Sequence, residues 1–106
     1  MAISGYFFYY CGITVQPNDE EQYDELNDFD IYVHLCQEEI KAKEPKREPF
    51  LETTYYSPTW AEINFRFKVS YRDGTEDIYR YIDLVKEEIE TTLNVIIIDF
   101  QLEHIS

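Results

Sequence analysis

The chain has 106 residues, room for one domain and not for a second. Hydrophobic residues make up 44% of it, enough for a real core, so intrinsic disorder is excluded even at this charge. Nine Lys and Arg stand against 22 Asp and Glu, a net charge of −13 that disfavours direct binding to DNA, RNA or an anionic membrane and points to a basic protein as partner.

The first forty residues contain no Lys or Arg, so they lack the positive region of a signal peptide. The apolar run from Tyr6 to Val15 is far shorter than the roughly 20 residues a membrane helix needs. No lipidation motif is present. Two cysteines, Cys11 and Cys36, are too few for a disulfide framework and read as buried thiols in a reducing compartment. The expectation is a single acidic α+β domain over 1–106, cytoplasmic (host-cell cytoplasm if phage-encoded).

In chain order, Tyr6 to Gln16 reads as a strand, rich in aromatic and β-branched residues and bounded by Gly5 and Pro17. Gly12 marks a candidate bulge within it. Asn18 with Glu21 forms a capping-box pattern, and Asp19 and Glu20 suit a helix N-terminus. Tyr23, Leu26, Phe29, Val33, Cys36 and Ile40 then keep helical spacing, which predicts a helix to about Lys43. Residues 28–36 also alternate as a strand would, and Asp28 and Asp30 are poor mid-helix residues. Residues 41–49 hold two prolines and the one basic stretch, read as a solvated connection inside an irregular arm at about 41–60. Within that arm Phe50 to Tyr56 is a candidate short edge strand.

The C-terminal half alternates clearly. Ile63, Phe65, Phe67, Val69 and Tyr71 share one face of a strand over 62–71. Asp73-Gly74 signals a hairpin, and 76–81 reads as the return strand. Ile82, Val85, Ile89 and Leu93 keep helical spacing, with Asn94 as a left-handed stop. Val95 to Leu102 is the last strand. The expected core is Phe65, Phe67, Val69, Val85, Ile89, Ile96 and Ile98. The order βαββαβ is that of the ferredoxin-like sandwich, an antiparallel sheet carrying two helices.

Catalytic patterns are thin. Three glycines, at 5, 12 and 74, form no phosphate loop, and no metal-site spacing occurs. Cys11, Cys36, His34 and His104 permit a Cys–His nucleophile or a His34-x-Cys36 metal pair, but Cys11 lies among aromatics, where a thiol stays neutral. Asp99, between Ile98 and Phe100, is the best candidate for a perturbed carboxyl, with a solvent-facing strand position as the simpler reading. The expectation is no enzyme, no cofactor and no bound metal.

What remains is an acidic, tyrosine-rich surface. All nine acids of residues 1–40 fall between Asp19 and Glu39. Such a face can simply confer solubility, or it can be an interface: tyrosine is favoured at binding hot spots, and spaced carboxylates can stand where phosphates lie on a duplex. Asp19, Glu20, Asp24, Glu25, Asp28 and Asp30, with Tyr23 and Tyr32, are the candidate partner-binding residues. In charge, size and composition the chain resembles the small acidic DNA-mimic inhibitors that phages and other mobile elements make, among them anti-restriction and anti-CRISPR proteins. That resemblance implies an inhibitor that occludes the basic site of a nucleic-acid-processing enzyme. An immunity protein or antitoxin against a cationic nuclease shares the same physics, and a non-catalytic adaptor subunit is the reading from another class.

Overall fold

A computed structural model describes residues 5–105. The elements are β1 (Tyr6–Pro17), α1 (Leu26–Lys43), a short 3-10 turn (Pro45–Arg47), β2 (Phe50–Tyr56), β3 (Ala61–Ser70), α2 (Thr75–Leu93) and β4 (Val95–Ile105). The four strands form one antiparallel sheet in the order β2-β3-β1-β4. With one helix between β1 and β2 and another between β3 and β4, this is the ferredoxin-like α+β sandwich.

Alternation along the two central strands places the core. Cys11, Ile13 and Val15 of β1 and Ala61, Ile63, Phe65, Phe67 and Val69 of β3 point toward the helices and are buried. Phe29, Val33, Cys36 and Ile40 of α1 and Tyr81, Val85, Ile89 and Leu93 of α2 close over them at helical spacing. These fill the interior, while Tyr6, Glu62, Lys68 and their row-mates form the opposite, uncovered sheet face.

The architecture is as expected, but its parts are distributed differently. The helix of residues 75–93 is continuous, so no hairpin follows Asp73-Gly74 and 76–81 is not a strand. Gly74 has φ −84°, not the positive φ a tight hairpin turn takes, and its N–H donates to the Asp77 carboxylate 3.0 Å away, which starts a helix instead. The hairpin is β2–β3, turned by residues 57–60, where the Ser57 hydroxyl donates to the Trp60 carbonyl at 3.0 Å. The irregular arm is accordingly shorter than 41–60, because β2 occupies its second half.

The first helix also begins later than Asn18. Residues 18–23 are engaged with the end of α2: Asn18 Nδ2 donates to Asn94 Oδ1 at 2.8 Å, and Gln22 and Tyr23 both donate to the Leu93 carbonyl. A helix C-terminus leaves carbonyls without internal partners, and this turn satisfies them. Residues 28–36 are helix, not strand. Asn94 is the left-handed stop, at φ 53°.

Ile96 and Ile98 are half exposed and do not belong to the core, whereas Val95 is buried. The register explains this: Val15 faces Ile97 while Thr14 faces Asp99, so Ile98 is an extra residue bulged out of the ladder. A second shift, between Tyr10 and Cys11, inserts Glu103 in the same way. Gly12 therefore lies between the two irregularities. It gives room, since a Cβ there would collide with the Glu103 carboxyl.

Candidate functional site

The acidic residues lie on the turn after β1 and the first half of α1, at the end of the sandwich where β1 finishes and α2 finishes. Asp19, Glu20, Asp24, Glu25 and Asp30 are exposed and Asp28 is half-buried. Asp19 accepts the Glu21 N–H at 2.9 Å, which shapes the turn. Among the described residues none of these six carboxylates is in an ion pair; the bases pair elsewhere, Lys43 with Glu88, Arg47 with Asp73, Lys68 with Glu48 and Arg80 with Asp77. The turn also sits against the C-terminal end of α2, the negative end of that helix dipole, so the potential of the peptide groups adds to that of the carboxylates.

Tyr23 is not part of this surface. It is 4% exposed, its ring meets Phe29 edge-on at 5.1 Å, and burial pushes its hydroxyl up to about 12. It is a core residue in an acidic run: its hydroxyl holds Leu93 and its carbonyl accepts the Tyr56 hydroxyl at 3.0 Å. Tyr32, in contrast, is exposed beside the acids.

Leu26, expected in the inward stripe, is instead half exposed at the first residue of α1, and Ile31 and Leu35, which fit the strand alternation of 28–36, are half exposed on the helix. Ile31 and Leu35, four residues apart, stack on the outward side of the helix, opposite the buried Phe29–Val33–Cys36–Ile40 stripe. The signal for Ile31 and Leu35 was available, because apolar residues that fall outside the inward stripe of a helix must face water. With Tyr32 they make an apolar ridge flanked by Asp28, Asp30, Glu38 and Glu39.

The remaining candidates do not come together. His34 and Cys36 project from opposite sides of α1, His34 exposed and Cys36 fully buried, so they form no metal pair. Burial pushes the Cys11 thiol up to about 11 and the Cys36 thiol to about 12, which leaves both protonated and unreactive. His104 stacks on Tyr10 at 4.2 Å, on the open sheet face and away from either thiol. No cluster of three or more potential metal ligands occurs among the described residues. Asp99 is exposed beside Thr14.

The open sheet face also carries aromatic rings, and its own cations cover Phe8, Phe50 and Tyr6. The Arg66 guanidinium lies 5.0 Å from the Phe8 ring and 5.2 Å from Phe50, and Lys68 lies 4.3 Å from Tyr6. Rings held this way are not free platforms for bases.

By its strand order and helix placement the chain belongs among ferredoxin-like sandwiches as a matter of fold. The de novo designed protein Foldit4 has a similar fold, with a TM-score of 0.52 and 18% identity over 95% of this chain and 96% of that one. At that identity the likeness concerns the fold alone. No family model matches the chain, and no curated protein matches it in sequence. No helix of the described residues is long and apolar enough to cross a membrane.

Proposed function

We propose that this protein is a small acidic inhibitor of the DNA-mimic type, which covers the basic nucleic-acid-binding site of a defence enzyme of the anti-restriction or anti-CRISPR target class. The observation that carries the reading is the carboxylate group of exposed Asp19, Glu20, Asp24, Glu25 and Asp30 with half-buried Asp28, unpaired among the described residues and backed by the negative end of α2. Carboxylates without internal counter-ions keep their field available to a cationic partner, which speeds encounter and selects for charge. The Ile31–Leu35–Tyr32 ridge supplies what carboxylates lack, an apolar centre that excludes water from the contact. The reading is of a binding protein that performs no chemistry on its partner and acts from the cytoplasm.

The test is capture from lysate at low and high salt, followed by competition with duplex DNA. A basic nucleic-acid enzyme, retained at low salt and displaced by DNA, is the expected prey. Single rim charges contribute only about 0.2–1 kcal/mol each, so one substitution should change little. The triple variant Asp24→Lys, Glu25→Lys, Asp28→Lys should abolish capture while circular dichroism stays native. A folded triple variant that still captures its partner removes this surface from consideration. A salt-stable acidic prey would instead indicate the adaptor reading.

A further inference from the structure

The other side of the molecule holds an unfilled cleft. Leu102 and Ile105 lie on the helix-facing side of β4, opposite Cys11 and Tyr9, yet each is about half exposed, at 52% and 53%. The first half of α2 stands off this part of the sheet. Between them runs a cleft of about 440 Å³, floored by Tyr9 and Cys11 and walled by Ile78, Ile82, Phe100 and Leu102. Asp83 and Lys86 stand at its rim, with Lys86 Nζ 5.2 Å from the Phe100 ring. The residues of α2 that line it span Thr75 to Lys86, about 16 Å of helix at 1.5 Å per residue. That length accommodates about five residues of extended chain.

The cleft runs beside a sheet edge that is open. The other edge, β2, is guarded: the Leu51 N–H donates to Gln37 Oε1 at 3.0 Å. On β4 the guard stops early. The Ile97 N–H donates to Glu90 Oε2 at 3.2 Å, and among the described hydrogen bonds no side chain meets the backbone of β4 from Ile98 to Ile105. Between the two bulges, residues 99–102 keep regular pairing with β1 and so offer a straight stretch of edge. β4 contains no Lys, Arg or Pro, the usual edge blockers. On its open-face side it carries Asp99 and Glu103, neither in an ion pair among the described residues.

We propose that β4 receives an extended basic peptide segment of a partner protein as a fifth strand. Apolar side chains at alternate positions of the peptide enter the α2–β4 cleft. Lysines or arginines at the intervening positions face Asp99 and Glu103. Main-chain hydrogen bonds to the edge supply affinity and the alternation supplies specificity, as in other strand-addition complexes. Charge complementarity selects this occupant over a second copy of the chain. Antiparallel pairing of two β4 strands sets Asp99 and Glu103 near their own counterparts, and like charges across a sheet destabilise it. The site is separate from the acidic surface, because no residue of α1 or of the turn before it lines the cleft.

The test uses the whole protein and a short capped peptide of alternating Ile and Lys, followed by fluorescence anisotropy at about 0.1 M salt. Three controls accompany it: the same composition in two blocks, the alternating peptide N-methylated at every second amide, and alternating Ile and Glu. The alternating Ile–Lys peptide should bind saturably, and each control at least about tenfold more weakly. Leu102→Lys and Asp99→Lys, both at exposed positions, should each weaken binding about tenfold with an unchanged melting temperature. Equal binding of the blocked or N-methylated peptide overturns the proposal, as does native affinity in both variants or no binding at all. Sedimentation showing a dimer that Leu102→Lys dissociates assigns the edge to a second copy and overturns it equally.

Discussion

Tyr23 shows how one residue can be read correctly for its element and wrongly for its role. Its spacing with Phe29 and Val33 placed it on the inner side of the chain, and it is inside. Its acidic neighbours suggested a surface contact, and they lie outside while it does not. The hydroxyl closes the open carbonyl of Leu93, so Tyr23→Phe should cost about 1 kcal/mol, the worth of a buried hydrogen bond, measured by urea unfolding. The variant should leave partner capture intact, which would separate this residue from Tyr32. Ile96 and Ile98 failed for a different reason. A run of three isoleucines has no period of its own, and only the bulge at Ile98, set by pairing with β1, decides which side each one takes. Ile31 and Leu35 were legible, since they fall outside the inward stripe of α1, but they also fit the strand alternation of 28–36, which hid their outward place on a helix.

At the scale of elements, the central strands and the helix with a strong inward stripe were legible, and the junctions were not. β3 falls where alternation put it, and β1 where its aromatic and β-branched run between Gly5 and Pro17 put it. The Asp73-Gly74 pair misled because its chemistry serves a different purpose. The Asp73 carboxylate accepts the Ser70 N–H at 2.7 Å and a paired contact from Arg47, at 2.6 and 3.1 Å, so it fastens the 3-10 turn to the β3–α2 corner. Arg47 is distant in sequence, and no local pattern announces it. The Arg47 guanidinium holds the Asp73 carboxyl below its ordinary range. A carboxyl with a lowered folded pKa contributes stability above its unfolded pKa, about 3.9, and loses it as pH falls through the folded value. Asp73→Asn should therefore cost about 1.5–3 kcal/mol at neutral pH, reduced by the partial exposure of the pair, and the difference from the native protein should shrink below about pH 4 in melting curves. The start of α1 was illegible for a related reason. Asn18 satisfies the local rule for a helix cap, but Asn94, 76 residues away, holds its side chain instead.

Over the whole molecule the charge is polarised. Lys46, Arg47, Lys68, Arg72 and Arg80 gather at the end where β3 finishes and α2 starts, and three of the four Lys or Arg ion pairs among the described residues join this group to nearby acids. The opposite end holds Asp19 to Asp28 with no basic counterpart among the described ion pairs. Unpaired like charges repel most in the compact state, and screening shortens from about 10 Å at 0.1 M salt to about 3 Å at 1 M. The isolated protein should therefore melt at a higher temperature in about 0.5 M salt than at low salt, where screening is longest-ranged. Capture of a basic partner through the acidic end should weaken over the same range. If melting temperature falls with salt, the ion pairs outweigh the repulsion, and the acidic end is not the uncompensated field described above. The net charge was plain in the composition, but its separation into two ends follows from how the antiparallel elements fold back, which composition does not contain.

The two thiols give the molecule an internal clock. Cys11 lies in a central strand beneath the α2–β4 cleft and Cys36 in the seam where α1 meets the sheet and α2, both closed to solvent. An alkylating reagent can reach either only when the structure around it opens. The rate at which each thiol is consumed therefore reports a different breach: detachment of α2 from β4 for Cys11, parting of the two helices for Cys36. Because β4 is gripped by α2 on one half of its length alone, the Cys11 clock should run ahead of the Cys36 clock, and a strand seated on the β4 edge should slow it.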